Sequence, residues 1–391
     1  MDLDTLLTGL KQRRGSDLYL TADSPPLYRV DGATVAVEDR VWLAGEVESV
    51  IRAVLSPAES DEFDRTHELN LARALSGVGR FRLNVFRQRG QMGLVARLIP
   101  IDFPNAETLG LPASLIDLIM QKRGLILVTG ATGSGKSTTL AALIDHRNIH
   151  TRGHILTIED PIEFVHQSKK CLVRQREVGP HSHSFSSALR ASLREDPDVI
   201  LVGELRDLET TQLAISAAET GHLVFATLHT NSASKTVDRI IDIFPAGQQA
   251  QVRTMLSESI EGVVAQSLLP SKDGKGRVAA LEVLVGVPAL RNLIREDKTA
   301  QIPSVIQTGS QYGMQTLEQS LRELVDRRQI SREEAILKCG NPQLFEHTTP
   351  SPSPARTPSS GARPPAPAGA AARPQATQVG ETPRKPGLRS T

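Results

Sequence analysis

Leu125-Ile-Leu-Val-Thr129 runs directly into Gly130-Ala-Thr-Gly-Ser-Gly135-Lys136-Ser137, and the chain continues as Thr138-Thr-Leu-Ala-Ala-Leu-Ile-Asp-His146. An apolar run, a turn fitting G-x-x-x-x-G-K-[ST] and a helical segment, in that order, predict a strand–loop–helix unit that cradles phosphate. The glycines let backbone N–H groups close around phosphate oxygens with no Cβ in the way, and the following helix turns its positive end toward the same anion. Gly130, Ala131, Thr132, Gly133, Ser134, Gly135, Lys136, Ser137 and Thr138 are therefore the candidate contacts to ATP. Lys136 is expected to bridge the β- and γ-phosphates and Ser137 to ligate Mg2+.

Working outward, His154–Ile158, Val199–Val202, Leu223–Thr227 and Val278–Val285 are further apolar runs separated by longer helical stretches. That pattern belongs to a mainly parallel sheet covered on both faces, whose ligands gather beyond the carboxyl ends of the strands. The first of these runs ends in Glu159-Asp-Pro-Ile-Glu163, the second in Gly203-Glu204-Leu-Arg206-Asp207 and the third in Leu228-His229-Thr230. Any one of them alone reads equally well as a helix cap or a surface turn. Three in succession beside a phosphate loop point to a site. Hydrolysis needs a carboxylate to orient and deprotonate water. Glu204 is the candidate, on the expectation that its strand lies beside the P-loop strand, with Glu159 and Glu163 donating further contacts to metal or water. His229 is a candidate sensor of the γ-phosphate. His222, after Glu219-Thr-Gly221, shares that role with a plain buried one.

Upstream, residues 1–100 mix helical segments with short alternating ones. Leu27–Val30 reads as a strand entering a turn. Arg80–Phe86 alternates strictly, with Phe81, Leu83 and Val85 on one face and Arg80, Arg82 and Asn84 on the other. Gly93–Ile99 reads as its partner strand. Residues 101–111 read as a linker and 112–345 as the nucleotide-binding domain. Residues 346–391 hold ten of the chain's 24 prolines and little to bury, so disorder is expected there. That tail also carries six basic and two acidic side chains, which leaves the globular part net acidic against an overall charge of +1. With aromatics at 3%, neither charge nor stacking surface suits a RecA-like nucleic-acid translocase. Cys171 and Cys339 form no metal pair or disulfide framework, as fits a reducing cytoplasm. No apolar stretch approaches the ~18 residues of a membrane span, so membrane association is expected only through a partner.

GATGSGKSTT (130–139), ILTIEDPIEFVH (155–166), EDPDVILVGELRD (195–207) and ETGHLVFATLHTNSASKTVDRIIDIFP (219–245) together resemble the Walker A, Asp, Walker B and His boxes of the secretion ATPases. GSDLYLT (15–21) resembles the entry to that family's PAS-like domain. Ala289-Leu-Arg-Asn-Leu-Ile-Arg-Glu296 resembles the AIRNLIRE signature of its pilus-retraction branch, with Leu290 where Ile is usual; Leu205 likewise stands where Met is common in Walker B. The resemblance implies an α/β fold with a PAS-like domain over 1–100 and a RecA-like P-loop ATPase domain over 112–345. It implies a homo-hexameric ring that binds ATP and Mg2+, with N-domain arginines set against the phosphates. The matching positions are Arg80, Arg82 and Arg97. It further implies a cytoplasmic motor retracting type IV pili in twitching motility, held at the inner membrane by a pilus platform protein, with a paralogous retraction ATPase as a further partner and no direct contact to nucleic acid. An accessory retraction paralogue shares the four boxes. So do pilus-assembly and type II secretion ATPases, many of which add a longer N-terminal region and a four-cysteine insert that this sequence does not show. The Ala289–Glu296 segment, apolar at Leu290, Leu293 and Ile294 and polar at Arg291, Arg295 and Glu296, suits both a core helix and a motor element.

Overall fold

The computed structural model describes residues 1–346 apart from Asp31, Ile101 and Lys275. The expectation for 346–391 falls outside the described residues except at Glu346, which closes a short helix, Gln343–Glu346. Two sheets organise the rest. The first contains β1 (Asp17–Leu20), β2 (Leu27–Val30), β3 (Ala33–Ala36), β4 (Glu68–Leu75), β5 (Gly79–Gln88) and β6 (Gln91–Ile99). Its order is β3-β2-β1-β6-β5-β4, antiparallel throughout. Alternation gives it two unlike faces. Leu18, Leu20, Phe81, Leu83, Val85, Leu94 and Ala96 are buried with Leu3, Leu6, Leu7 and Leu10 of the first helix and with Val47, Ile51 and Phe63 of the next two. In register across the strands, Arg29, Asp17, Arg97 and Arg82 lie in one row. Asp17 is buried, and its carboxylate pairs with Arg97 at 2.7 Å.

The second sheet contains β7 (Gly124–Thr129), β8 (Gly153–Glu159), β9 (Cys171–Glu177), β10 (Val199–Val202), β11 (Leu223–Leu228), β12 (Ile260–Pro270) and β13 (Arg277–Val285). Its order is β13-β12-β7-β11-β10-β8-β9, parallel except for β13. Its inner strands are apolar at successive positions because both faces are covered. Leu125, Leu127, Ile200, Val202, Val224 and Ala226 join one core, while Ile126, Val128, Val199, Leu201, Leu223 and Phe225 join the core on the other face, beneath helix Lys136–His150. In the segment that follows β6, Phe103 packs edge-on against Phe164 and His166, at 5.4 and 5.0 Å between ring centres.

This topology corrects one expectation. The strand that ends at Glu204, β10, does not neighbour the P-loop strand β7: β11 lies between them. The order of parallel strands depends on crossovers that local apolar runs do not specify.

Candidate nucleotide site

The P-loop leaves β7 after Thr129 and is pressed against β12. Gly130 has φ +146°, and a Cβ there would stand 2.3 Å from the Gln266 carbonyl oxygen; Gly135, at φ +88°, would meet the Gln266 side-chain nitrogen at 2.8 Å. Neither position admits a side chain. Lys136 Nζ donates to the carbonyls of Gly130 (2.8 Å) and Ala131 (3.2 Å), folding the ammonium over the loop. Ser134 Oγ is buried without a partner. Ala131, Thr132 and Gly133 form the exposed crest, and Ser137 and Thr138 are half-buried in the first turn of the 15-residue helix Lys136–His150. A glycine cradle, an overhanging ammonium and a long helix's N-terminus together fit a phosphate chain. Among the described residues no group of three or more His, Cys, Asp or Glu is placed to hold a metal ion. The Ser137 hydroxyl, in the first turn of helix Lys136–His150, fits as a protein ligand for a Mg2+ ion brought with the phosphates.

The acids converge as their strand ends do. Glu204 Oε2 pairs with Arg206 at 2.7 Å and Oε1 with His229 Nε2 at 3.1 Å. Burial opposes ionisation of Glu204, yet Arg206 and His229 hold its carboxyl below the usual 4.5. Burial likewise pushes the Lys136 ammonium down, while Glu204 and Glu163 push it back up, so both carboxylates act on the P-loop lysine. Glu159 behaves differently. Enclosure raises its carboxyl, against hydrogen bonds from Thr157 (2.6 Å), Gln175 (3.2 Å) and the backbone N–H of Glu163 (3.5 Å). It anchors the segment carrying Glu163, which is itself exposed.

Four candidates stand elsewhere. His222 precedes β11 and its carbonyl accepts from Gly124 N at the start of β7, so it sits at the end of the sheet opposite the P-loop. Its Nδ1 lies 3.1 Å from the carbonyl of Ala217, and within one chain the local structural role is the one it fills. Arg97 is engaged by Asp17, and Arg82 is exposed directly across from it. Arg80 crosses to the ATPase sheet, with Nη2 2.6 Å from Glu177 at the end of β9.

Sequence reasoning assigned no role to Arg206, although it stands in the quoted Walker B segment, or to Glu177 and Gln266, whose strands were not recognised. It also left Arg291 as simply polar. The helix Pro288–Arg295 buries Leu290 and Ile294, while Arg291 donates to the carbonyls of Ser257 (3.1 Å), Glu258 (2.6 Å) and Gly286 (3.2 Å) and pairs with Glu261 (2.8 Å). It thereby caps the C-terminal end of helix Ala246–Ser259.

The model of the family described as Type II/IV secretion system protein matches residues 106–337. The chain is 51% identical over 345 residues to the type IV pilus retraction ATPase PilT of Pseudomonas aeruginosa, covering 88% of this chain and all of that one. It is 42% identical to the type IV pilus ATPase PilU of the same organism, over 86% of this chain and 88% of the relative. A crystal structure of the pilus retraction motor PilT with bound ADP superposes with a TM-score of 0.82 at 45% identity, covering 88% of this chain and 98% of that one. Similarity over 88% of the chain and the two-sheet fold agree, and the chain belongs to the type II/IV secretion ATPase family, among its PilT-type members.

Proposed function

We propose that the chain is the ATP-hydrolysing subunit of a motor that retracts type IV pili and so drives twitching motility. The observation that carries this reading is Glu204, held ionised between Arg206 and His229 within electrostatic reach of the P-loop lysine. Glu204 accepts the proton of the attacking water, and Lys136 with the loop N–H groups holds the β- and γ-phosphates. Glu163, presented by the Glu159 anchor, shares in placing the water. Mg2+ bound with the nucleotide supplies charge neutralisation on the phosphates, with Ser137 its protein ligand. Arg82, exposed on the first sheet, would meet phosphate when domains or subunits close around it, and Arg97 would do so on releasing Asp17; guanidinium suits this because it stays charged and presents planar donors.

The working unit is a homo-hexameric ring on the cytoplasmic side of the inner membrane, acting on a pilus platform protein and accepting a paralogous retraction ATPase as a further partner. Within each subunit a PAS-like domain over 1–100 and an ATPase domain over 112–345 are joined at 101–111. Among the described residues no helix is long and apolar enough to cross a membrane, in keeping with attachment through a partner.

Glu204→Gln in cells and in the purified protein tests the reading. Retained nucleotide binding with lost turnover, lost twitching and accumulated surface pili is the expected result. Lost turnover with pili absent would make the chain an assembly ATPase, and unchanged twitching would remove the retraction role.

A further inference from the structure

Gln266 of β12 is buried, at 4% exposure, and both ends of its amide are used. Nε2 donates to the carbonyl oxygen of Ser134 in the P-loop at 2.8 Å, and Oε1 accepts from Thr139 Oγ1 in the following helix at 2.9 Å. Its backbone oxygen is the atom nearest to a Cβ on Gly130, at 2.3 Å, and its amide nitrogen the atom nearest to one on Gly135, at 2.8 Å. One residue thus touches the loop at its entry, at its exit and in the first helical turn. We infer that Gln266 is the positioning residue of the phosphate site: it fixes the direction of the P-loop peptide groups from behind and so sets how tightly the β-phosphate is held.

The reason lies in the geometry of the peptide bond. A trans peptide points its C=O and N–H in opposite directions. With the Ser134 carbonyl turned onto Gln266, the Gly135 N–H is turned away from β12, toward the space that the loop encloses. Glycines at 130, 133 and 135 leave this backbone free to rotate, so a loop without the brace would spend part of its time with those donors misdirected. Thr139 completes the brace by holding the amide in the orientation that aims Nε2 at Ser134. From the neighbouring strand, Arg277 Nη1 also approaches the Gly133 carbonyl, at 3.4 Å, so the β12–β13 hairpin supports the crest as well.

The inference rests on nucleotide binding at the P-loop, and the experiment separates the two. Wild-type full-length chain and Lys136→Ala are titrated with ADP first; if Lys136→Ala binds as wild type, it is the P-loop reading that fails. Gln266→Met keeps length and apolar fill but removes both bonds, and should weaken ADP about tenfold. Gln266→Leu likewise removes both bonds with an uncharged apolar side chain; it should weaken ADP similarly, and it serves if Gln266→Met does not fold. Adding Thr139→Val to Gln266→Met removes the orphaned hydroxyl, so thermal stability should partly recover while ADP affinity stays low. ADP affinity that recovers together with stability, or wild-type affinity in Gln266→Met or Gln266→Leu, would overturn the assignment.

Discussion

Replacing Arg80 with alanine removes the one ion pair recorded, among the described residues, between the N-terminal sheet and the ATPase sheet. The pair is short, 2.6 Å, and unevenly placed: the Arg80 side chain is 22% exposed and that of Glu177 only 7%. Exposed pairs contribute ~0.2–1 kcal/mol, while breaking a fully buried pair costs about 3–5 kcal/mol because one charge is left without compensation. Arg80→Ala leaves Glu177 with only a long hydrogen bond from Ile162 N, at 3.4 Å. A cost of about 2 kcal/mol follows from a position between those limits. Glu177→Ala leaves a guanidinium that can turn toward water, so about 1 kcal/mol is expected. If the contact is direct, the double variant costs less than the sum of the two singles, by roughly 1 kcal/mol.

The single tryptophan makes the measurement clean. Trp42 is buried in the N-terminal core, so its fluorescence follows that domain while circular dichroism follows the whole chain. Urea unfolding of wild type, both single variants and the double variant, read by both signals, gives the cycle. Additive effects, or an Arg80→Ala change below about 0.5 kcal/mol, would mean that the pair does not join the sheets energetically.

Arg206→Gln removes the strongest of the groups that hold Glu204 ionised against its burial, so the acid limb of the ATPase pH profile should move to higher pH; an unmoved limb would dissociate Arg206 from Glu204 in function. Burial among Phe103 and Phe164 pushes His166 down to about 4 from 6.5, so the unfolded chain takes up its proton first and stability is lost as pH falls from 6.5 toward 4. His166→Gln should flatten that part of the stability profile in denaturant titrations at pH 7, 6 and 5, and an unchanged slope would assign it to other groups. Arg291→Ala should cost about 2 kcal/mol through loss of charge-assisted bonds to the end of helix Ala246–Ser259, read as a lowered unfolding midpoint; Arg291→Lys, lacking the planar fork, should recover only part of it.

What could be read in the sequence follows the range of the physics. The P-loop was legible because its chemistry is local: strand, glycines, lysine and helix are contiguous. The inner parallel strands were legible because burial on both faces makes them continuously apolar. β12 was missed because helix Ala246–Ser259 passes straight into Ile260 with no glycine or proline to mark the change. β9 was missed because, as an edge strand, it alternates exposed Leu172 and Arg174 with buried Cys171 and Val173. Those two omissions account for Gln266 and Glu177. Gln266 meets Ser134 across 132 positions and Arg80 meets Glu177 across 97, separations at which periodicity and composition carry no information.

The same long-range contacts bear on how nucleotide can move the molecule. Thr129, the last residue before the P-loop, donates from its hydroxyl to the Thr230 carbonyl and lies 2.6 Å from the Thr230 hydroxyl, which in turn lies 2.7 Å from Thr236 in helix Ala233–Asp242. Thr227 donates to the Gly203 carbonyl, tying the strand before His229 to the residue before Glu204. The loop that receives phosphate is therefore fastened to the His box on one side and to β12 on the other, and the carboxylate proposed as base is fastened to the same His box through His229. Arg80 adds a competition. A guanidinium held 2.6 Å from Glu177 cannot also close on a phosphate. Any state in which Arg80 reaches nucleotide must first release Glu177 and, with it, the ion pair between the two sheets. Were Arg80 to close on phosphate, nucleotide binding and movement of the N-terminal sheet would be linked through one side chain, a coupling of the kind a motor subunit needs.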